Sequence, residues 1–155
     1  MEGFNHNVHY LEDFDFDEEG ELTNEQIPKN MLVLIMIQSS SCHHCDDAKP
    51  LFQEFANQMS DKVFCATIQT NGYKRPKTEI PLGKRLNNFI KEFNGVPEYV
   101  LYKNRHIINA KTTGRNVECL TKFCAPYLES SRKRSSDKKR LSKRSSRKRS
   151  SDKRI

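Results

Sequence analysis

The sequence lacks the long apolar run that a membrane span requires, because its longest, MLVLIMI at residues 31–37, has seven residues. It also lacks a basic and apolar leader, since it opens on the acidic stretch MEGFNHNVHYLEDFDFDEEGEL. Five cysteines, an odd number without secretory context, argue against a structural disulfide framework and for thiols with metal or redox roles. We therefore expect a cytoplasmic protein, with the nucleus or a virion as further candidate locations, and no secretion or membrane span.

The charges are separated along the chain. Residues 1–28 hold nine acidic residues and no Lys or Arg, whereas residues 130–155 hold 13 basic residues and two acidic ones. Residues 29–129 carry 14 basic and nine acidic residues and are long enough to bury a core. The composition therefore predicts an acidic N-terminal segment over residues 1–28, one domain over residues 29–129 and a basic tail over residues 130–155.

Hydrophobic patterns predict the strands of the domain. MLVLIMIQ, residues 31–38, is continuously apolar, which is typical of a strand covered on both faces in the middle of a sheet. KVFCATIQT, residues 62–70, alternates and is rich in residues that favour strands. EYVLYK and HIINAKT are predicted to form a hairpin across Asn104 and Arg105.

Helical spacing of apolar residues predicts the helices. The first covers residues 43–60, with a bend at Pro50. A polar loop, NGYKRPKTEIP, precedes the second, which is predicted from Leu82 to a stop at Asn94 and Gly95. A closing helix contains Val117 and the apolar residues that follow it. The predicted order is β-α-β-α-β-β-α, an α/β protein.

A CxxC motif, Cys42-His43-His44-Cys45, stands where the first buried strand gives way to a helix. A thiol at the first turn of a helix faces unpaired backbone N–H groups and the positive end of the helix dipole. Both favour the thiolate and lower the pKa of the thiol below its ordinary value of about 8.5. In this context the motif indicates redox chemistry, with Cys42 as the nucleophile and Cys45 as the thiol that resolves the mixed disulfide.

Four features together resemble the thioredoxin family over residues 29–129. They are the CHHC dithiol after a buried strand, Pro50 five residues beyond the second cysteine, GVPEYVLYKN with Pro97 opening a strand, and Gly114 after the hairpin. The resemblance implies a thioredoxin-like three-layer α/β/α sandwich with a central mixed sheet. It also implies a cis bond between Val96 and Pro97, placed against the dithiol, where the backbone of Val96 pairs with an extended substrate chain.

The resemblance also implies the site residues and partners. The catalytic residues would be Cys42, Cys45, His44 and Pro97, and the substrate-binding residues Ser41, His43, Val96 and Gly114. Protein thiols and disulfides would be the substrates of a monomeric disulfide oxidoreductase. We expect no metal and no cofactor beyond the redox-active disulfide Cys42–Cys45.

The motif departs from the thioredoxin pattern in three ways. The chain has no Trp; Ser41 stands where thioredoxins have Trp before the first cysteine, and two histidines replace their Gly-Pro. Met36 occupies the position of a buried acid that helps deprotonate the second thiol, so resolution by Cys45 is expected to be slow or to use water or a nearby histidine. His44 resembles the histidine of protein disulfide isomerases. A hydrogen bond from it to the Cys42 thiolate would stabilise the reduced form and make the couple more oxidising than thioredoxin.

Alternatives to the redox interpretation remain open at this point. A zinc site would need two ligands beyond the CxxC pair, from its two histidines or from Cys119 and Cys124. The chain could also be a redox-inactive adaptor with a thioredoxin-like scaffold. Cys65 and Cys124 are expected to be small buried hydrophobic residues, and Cys119 to be more exposed.

The acidic segment contains DFDFDEEG, which superficially has the aspartates of a calcium loop. Glu18 stands where that loop needs glycine and Asn24 where it needs a carboxylate, so calcium binding is rejected. FDFDEEGEL is interpreted instead as an edge strand and turn, or as an acidic segment that pairs transiently with the basic tail.

The tail repeats SSRKRSSDK at residues 130–138 and 145–153, and its composition predicts disorder. A basic run of this density favours nucleic-acid or other polyanion binding, or nuclear import, over a merely solubilising tail. Without aromatic residues, it would bind phosphates regardless of base sequence. Phosphorylation of its nine serines would oppose the positive charge. The candidate nucleic-acid-binding residues are Arg132, Lys133, Arg134, Lys138, Lys139, Arg140, Lys143, Arg144, Arg147, Lys148, Arg149, Lys153 and Arg154.

Two functions therefore compete. The first is a thiol-disulfide oxidoreductase with a basic tail that associates with a polyanion, and the second is a polyanion-binding protein on a redox-inactive scaffold. The segments LVLIMIQ…CHHCDDAKP and FNGVPEYVLYKN are most similar to thioredoxin-domain proteins of large cytoplasmic DNA viruses. That resemblance implies disulfide formation in virion proteins made in the cytosol.

Overall fold

A computed structural model describes residues 4–128, so the basic tail and its candidate binding residues lie outside the described residues. The strands are β1 (Val8–Leu11), β2 (Leu32–Gln38), β3 (Val63–Gln69), β4 (Glu98–Lys103) and β5 (His106–Ile108). The helices are α1 (His43–Gln58), α2 (Pro76–Phe89) and α3 (residues 117–128), and Asp13–Asp15 forms a short 3-10 helix. Within residues 4–128, no helix is both long and apolar enough to cross a membrane.

The five strands form one mixed sheet in the order β1-β3-β2-β4-β5. Strands β1 and β2 run parallel to β3, whereas β2 and β4, like β4 and β5, are antiparallel. Every residue of β2 is buried, as its continuous apolar run predicts. Three serines separate the end of β2 from Cys42, so the central strand of the sheet positions the dithiol.

Helices cover both faces of the sheet. Leu82 and Leu86 of α2 belong to the same buried cluster as Val33 and Ile35 of β2. On the opposite face, Phe52 of α1 packs against the Tyr99 ring of β4, with ring centroids 5.9 Å apart. The predicted three-layer α/β/α sandwich is confirmed.

The N-terminal segment supplies β1, a strand that the sequence patterns missed. The interpretation of FDFDEEGEL as the edge strand is wrong in position, because Asp13–Asp15 is a 3-10 helix and Val8–Leu11 lies at the edge. β1 buries its first and last residues only, so it has no alternating pattern to detect. The segment contributes five core side chains: Val8, Leu11, Phe16, Leu22 and Ile27.

The carboxylates of this segment bind groups within the fold. Asp15 is buried and accepts hydrogen bonds from the Glu12 backbone N–H at 2.8 Å and from Asn24 Nδ2 at 2.9 Å. Asp13 pairs with Arg85 Nη1 of α2 at 2.8 Å. The ion pair with Arg85 therefore ties the acidic segment to α2.

The predicted bounds of α2 were wrong at both ends. The helix begins at Pro76, inside the predicted loop, because a proline in the first turn needs no hydrogen-bond donor. It ends at Phe89, before the predicted stop at Asn94 and Gly95, and Glu92 already has a left-handed φ of 57°. Helix α1 matches its prediction closely and continues through Pro50 to Gln58.

The predicted hairpin turns at Asn104 and Arg105, whose φ angles are 52° and 71°. Two consecutive positive φ values are typical of a type I′ turn, which matches the twist of antiparallel strands. Arg105 Nη1 donates to the carbonyl of Asn24 at 3.0 Å and so ties the hairpin to the N-terminal segment. Strand β5 is shorter than the predicted HIINAKT and ends at Ile108.

Candidate active site

Cys42 caps the N-terminus of α1. Its backbone is extended, with φ −99° and ψ 104°, and its Sγ accepts a hydrogen bond from the Cys45 backbone N–H at 3.0 Å. The sulfur thus lies at the positive end of a 16-residue helix. It accepts a hydrogen bond from one of the first N–H groups of the helix, which have no carbonyl partner within the helix. This is the environment that the CxxC position predicts.

The two thiols of the motif differ in accessibility. Cys45 is 0% exposed, whereas Cys42 is half-buried, and their sulfurs lie at disulfide distance with Cα atoms 5.1 Å apart. That Cα separation is in the usual range for a disulfide. Ser41 and His43, on either side of Cys42, are exposed. A thiol of another protein can therefore reach the pair through the sulfur of Cys42.

The start of β4 faces the dithiol. The Val96–Pro97 bond is cis, as the resemblance implied, and the Val96 carbonyl oxygen lies 3.6 Å from Cys42 Sγ. Val96 and Pro97 are both half-buried. The fold thus brings residues from two distant parts of the sequence to the same sulfur.

Gly114 lies in the loop before α3, where Thr112 Oγ1 donates to its carbonyl at 2.8 Å. A Cβ atom on Gly114 would come 2.7 Å from Cys119 Sγ, so any other residue at this position would force the Cys119 side chain to move. Its role in substrate binding stays a prediction.

His43 and His44 are exposed in the first turn of α1. The donor to Cys42 Sγ in the structure is the backbone of Cys45, not the imidazole of His44. The predicted stabilisation of the Cys42 thiolate by His44 therefore stays a prediction.

A small polar network adjoins Met36, which occupies the position where the resemblance implies a buried acid. Met36 is 0% exposed and pairs with Tyr99 across the sheet. Gln38 Nε2 donates to Thr67 Oγ1 at 2.7 Å, and the Thr67 hydroxyl donates to the Met36 carbonyl at 2.8 Å. The sequence patterns did not predict the contact between Gln38 and Thr67, although each is a buried polar residue in a mostly apolar strand.

The remaining cysteines have the surroundings expected for packing residues. Burial raises the pKa of the Cys124 thiol to about 12. The pKa of the Cys65 thiol is raised mainly by burial and to a lesser extent by the nearby Cys124. Both thiols therefore stay protonated at neutral pH, while Cys119 is half-buried. In the part of the chain that the structure describes, no three His, Cys, Asp or Glu residues lie together as a metal site would need.

A mixed five-stranded sheet between helices, with a dithiol capping the helix after the central strand, defines a thioredoxin-like protein. The thioredoxin-like protein 453L of Invertebrate iridescent virus 6 is 33% identical over 128 residues, which cover 75% of this chain and 91% of that relative. The chain belongs to the thioredoxin family, and this relative is viral, as the resemblance of the two segments implied. No family model matches the chain.

Solved structures share the fold at low identity. The J-Trx1 fragment of ERdj5 is similar with a TM-score of 0.51 and 18% identity, over 79% of this chain and 50% of that fragment. The first thioredoxin domain of mouse protein disulfide-isomerase A4 is similar with a TM-score of 0.53 and 17% identity, over 77% of this chain and 74% of that domain. The chain thus spans half the length of the ERdj5 fragment.

Proposed function

We propose that this protein is a thiol-disulfide oxidoreductase that acts on protein disulfides through Cys42 and Cys45. One observation carries the proposal: a half-buried sulfur accepts a helix N-terminal N–H while its fully buried partner lies at disulfide distance. The family of the chain supports it.

The exchange begins when a substrate thiolate attacks Cys42 Sγ in the disulfide form. This forms a substrate–Cys42 disulfide, breaks the Cys42–Cys45 bond, and releases Cys45 as a thiolate that takes up a proton. A second substrate thiolate then attacks the substrate sulfur of the mixed disulfide and displaces Cys42. The substrate dithiol is oxidised to a disulfide and the protein disulfide is reduced to two thiols. The reverse sequence reduces a substrate disulfide.

The expected direction is oxidation of substrates. The N–H of residue 45 and the helix dipole stabilise the Cys42 thiolate, and a stabilised reduced form makes a dithiol couple more oxidising. His44, exposed beside Cys42, would add to this effect by a hydrogen bond to the thiolate. The proposed substrates are protein dithiols in the cytosol, including those of virion proteins, and the proposed enzyme is a monomer.

A redox titration against glutathione, with mass spectrometry to locate the bridge, tests the proposal. We expect a Cys42–Cys45 disulfide with a potential above thioredoxin's value of about −270 mV. Cys42→Ser should abolish exchange with protein disulfides, whereas Cys119→Ser, the matched control in the first turn of α3, should retain it. Failure of the bridge to form, or exchange that survives Cys42→Ser, contradicts the proposal.

We further propose that the basic tail holds the enzyme on a polyanion such as nucleic acid. The tail has 13 basic groups. If about half of them contact phosphates of double-stranded DNA, the logarithm of the binding constant should fall with the logarithm of salt concentration with a slope near −6. Changing these residues to Gln should remove the binding. Cys42→Ser should leave the binding of the polyanion intact. If Cys42→Ser weakens this binding as much as the Gln substitutions do, the redox site and the tail do not have separate functions.

A further inference from the structure

One lysine side chain, Lys111, binds both ends of the segment that carries Val96. This segment, residues 92–98, follows α2 and leads into the first residue of β4. Lys111 Nζ donates a hydrogen bond to the Glu92 carbonyl at 3.0 Å and another to Glu98 Oε2 at 2.9 Å. A single ammonium group therefore ties the first residue of the segment to the last.

The start of β4 has a neighbouring strand on one side only. Strand β4 pairs with β2 from its first residue, Glu98, whereas its pairing with β5 begins at Leu101. Within the part of the chain that the structure describes, residues 98–100 thus have no strand partner on the β5 side. The Glu98 carboxylate, which Lys111 binds, also accepts a hydrogen bond from the Tyr99 backbone N–H at 3.1 Å. The ion pair therefore holds the backbone at the open end of the strand.

Packing alone fixes the segment only in part. The side chains of Phe93 and Val96 are partly buried against the hydrophobic core. Asn94 and Gly95, between them, are exposed, and a Cβ atom on Gly95 would have no other atom within 4 Å. Glycine also permits backbone conformations that other residues rarely adopt. The two contacts of Lys111 therefore restrict a segment whose middle is open and conformationally free.

The position of this segment matters because it faces the reactive sulfur. The Val96 carbonyl oxygen lies 3.6 Å from Cys42 Sγ. In the proposed exchange, a substrate chain attached to Cys42 lies beside the backbone of Val96. Pairing with a backbone that is already fixed costs less ordering free energy than pairing with a mobile one, and small displacements of a positioning group can lower a rate strongly.

The Lys111 contact differs from an ordinary surface ion pair. The side chains of Lys111 and Glu98 are 42% and 17% exposed, and the same ammonium also binds the Glu92 carbonyl. An ion pair that is fully accessible to water contributes little by comparison. Helix α3 provides such a pair, because Lys122 lies 3.1 Å from Glu118 and both side chains are about three-quarters exposed. Lys122 is therefore a matched control for Lys111.

We propose that Lys111 is a positioning residue for the exchange reaction, which holds residues 92–98 so that the backbone of Val96 is ready to pair with a substrate chain at Cys42. The inference rests on the proposed function and adds to it a residue that acts through Val96. A small disulfide reaches Cys42 Sγ without pairing along the segment, whereas an extended peptide lies beside Val96. The effect of Lys111 should therefore depend on the length of the substrate.

The test compares a small disulfide with an extended one. The reduced full chain is mixed with hydroxyethyl disulfide or with a fluorogenic disulfide of two extended peptides, and single-turnover rates are measured over a range of concentrations. In both reactions the protein dithiol is oxidised to the Cys42–Cys45 disulfide and the substrate disulfide is reduced to two thiols. We expect Lys111→Met to lower kcat/KM for the peptide disulfide about 3- to 10-fold more than for hydroxyethyl disulfide, mainly through KM, the effect of about one hydrogen bond to the peptide.

Three further variants show whether the loss comes from the contact itself. Lys111→Arg, which keeps a cationic donor, should retain most of the peptide rate, and a loss as large as that of Lys111→Met contradicts the proposal. Lys122→Met, which breaks the exposed pair with Glu118, should change neither rate. Thermal unfolding checks folding. If Lys111→Met does not fold, Glu98→Gln replaces it, because it removes the charge that Lys111 binds and keeps an oxygen for the Tyr99 N–H; an equal effect on both disulfides then overturns the proposal.

The role of Lys111 and the enzyme can be judged separately. If the unmodified chain exchanges both disulfides and Lys111→Met, in a folded protein, lowers both rates equally or neither, the role of Lys111 is wrong and the proposed function stands. If the unmodified chain exchanges neither disulfide, the proposed function is wrong and the role of Lys111 falls with it.

Discussion

Cys45→Ser isolates the effect of the helix N-terminus on Cys42. The substitution frees the Cys42 sulfur from its partner and keeps the backbone N–H at position 45, which lies 3.0 Å from that sulfur. A hydrogen bond to a charged acceptor contributes about 1.5 to 3 kcal/mol, and a helix N-terminus about 0.3 to 1 kcal/mol. The Val96 carbonyl oxygen, 3.6 Å away, opposes them because it repels an anion.

The balance should favour the Cys42 thiolate by about 2 kcal/mol, which corresponds to a roughly 30-fold larger thiolate fraction at a pH well below the pKa of an ordinary thiol. Iodoacetamide alkylation across pH, with each cysteine followed by mass spectrometry, measures it. Cys42 should react at a pH where a peptide thiol is still protonated. Cys65 and Cys124 should react slowly, because both are buried and have raised pKa values.

Cys119 is the internal control for accessibility. Cys119 is half-buried in the first turn of α3, and its backbone N–H donates to Asn116 Oδ1 at 2.8 Å. The capping acceptor at the start of α3 is therefore the Asn116 side chain, whereas at the start of α1 it is the Cys42 sulfur. If Cys42 shows the same pH profile as the peptide thiol, the helix N-terminus does not activate it, and the reasoning about its nucleophilicity is refuted.

Three further predictions concern stability. Tyr99→Phe should raise the free energy of unfolding by about 1 kcal/mol because it removes a buried hydroxyl without a partner, whereas the matched Tyr102→Phe should lower it by about 1 kcal/mol because the Tyr102 hydroxyl donates to the Gly20 carbonyl; denaturant titration compares them, and equal effects would contradict the assignment. Burial raises the pKa of Tyr99 from 10.0 to about 12, so this phenol ionises first in the unfolded chain and the free energy of unfolding should fall by about 2 to 3 kcal/mol as the pH rises from 10 to 12; the unfolding free energy of Tyr99→Phe should decline less over that interval, and a parallel decline would sink the idea. Gly20→Ala should cost about 2 to 4 kcal/mol, because φ is +83° and the new Cβ would overlap the Phe89 ring. A cost in thermal unfolding no larger than the backbone strain alone would show that the overlap is relieved.

The centre of the fold and the dithiol could be predicted because their signals are local. The apolar run of β2 indicates a strand buried on both faces, and the helical periodicity of α1 begins a few residues later in the sequence. A cysteine between the two elements therefore lies at the start of the helix. The resemblance added the contact between Cys42 and Val96, which spacing along the chain does not give.

The edge of the sheet and the pocket could not be predicted because they depend on pairing across long separations. β1 has four residues and no alternating pattern, and its strand conformation follows from its register with β3, in which Val8 pairs with Cys65. The pocket that Ser40 and Ser41 line combines this strand with the ends of β2 and β3 and with the residues around Tyr73. In the sequence, Gln38 is only the polar residue that ends an apolar strand.

The N-terminus of α1 and the residue at position 36 are expected to affect two different properties of the exchange reaction, its equilibrium and its rate. Stabilising the Cys42 thiolate changes the free energy of the dithiol relative to the disulfide, and so the potential. At position 36, where the resemblance implies a buried acid, Met36 offers no group to accept a proton from Cys45, and the carboxylates buried in residues 4–128, Asp15 and Glu79, belong to the N-terminal segment and to α2. A missing proton acceptor slows oxidation and reduction by the same factor, because both directions pass through the same transition state. Met36→Asp, if it folds, should therefore change the rate of exchange much more than its equilibrium direction, which remains set by the N-terminus of α1.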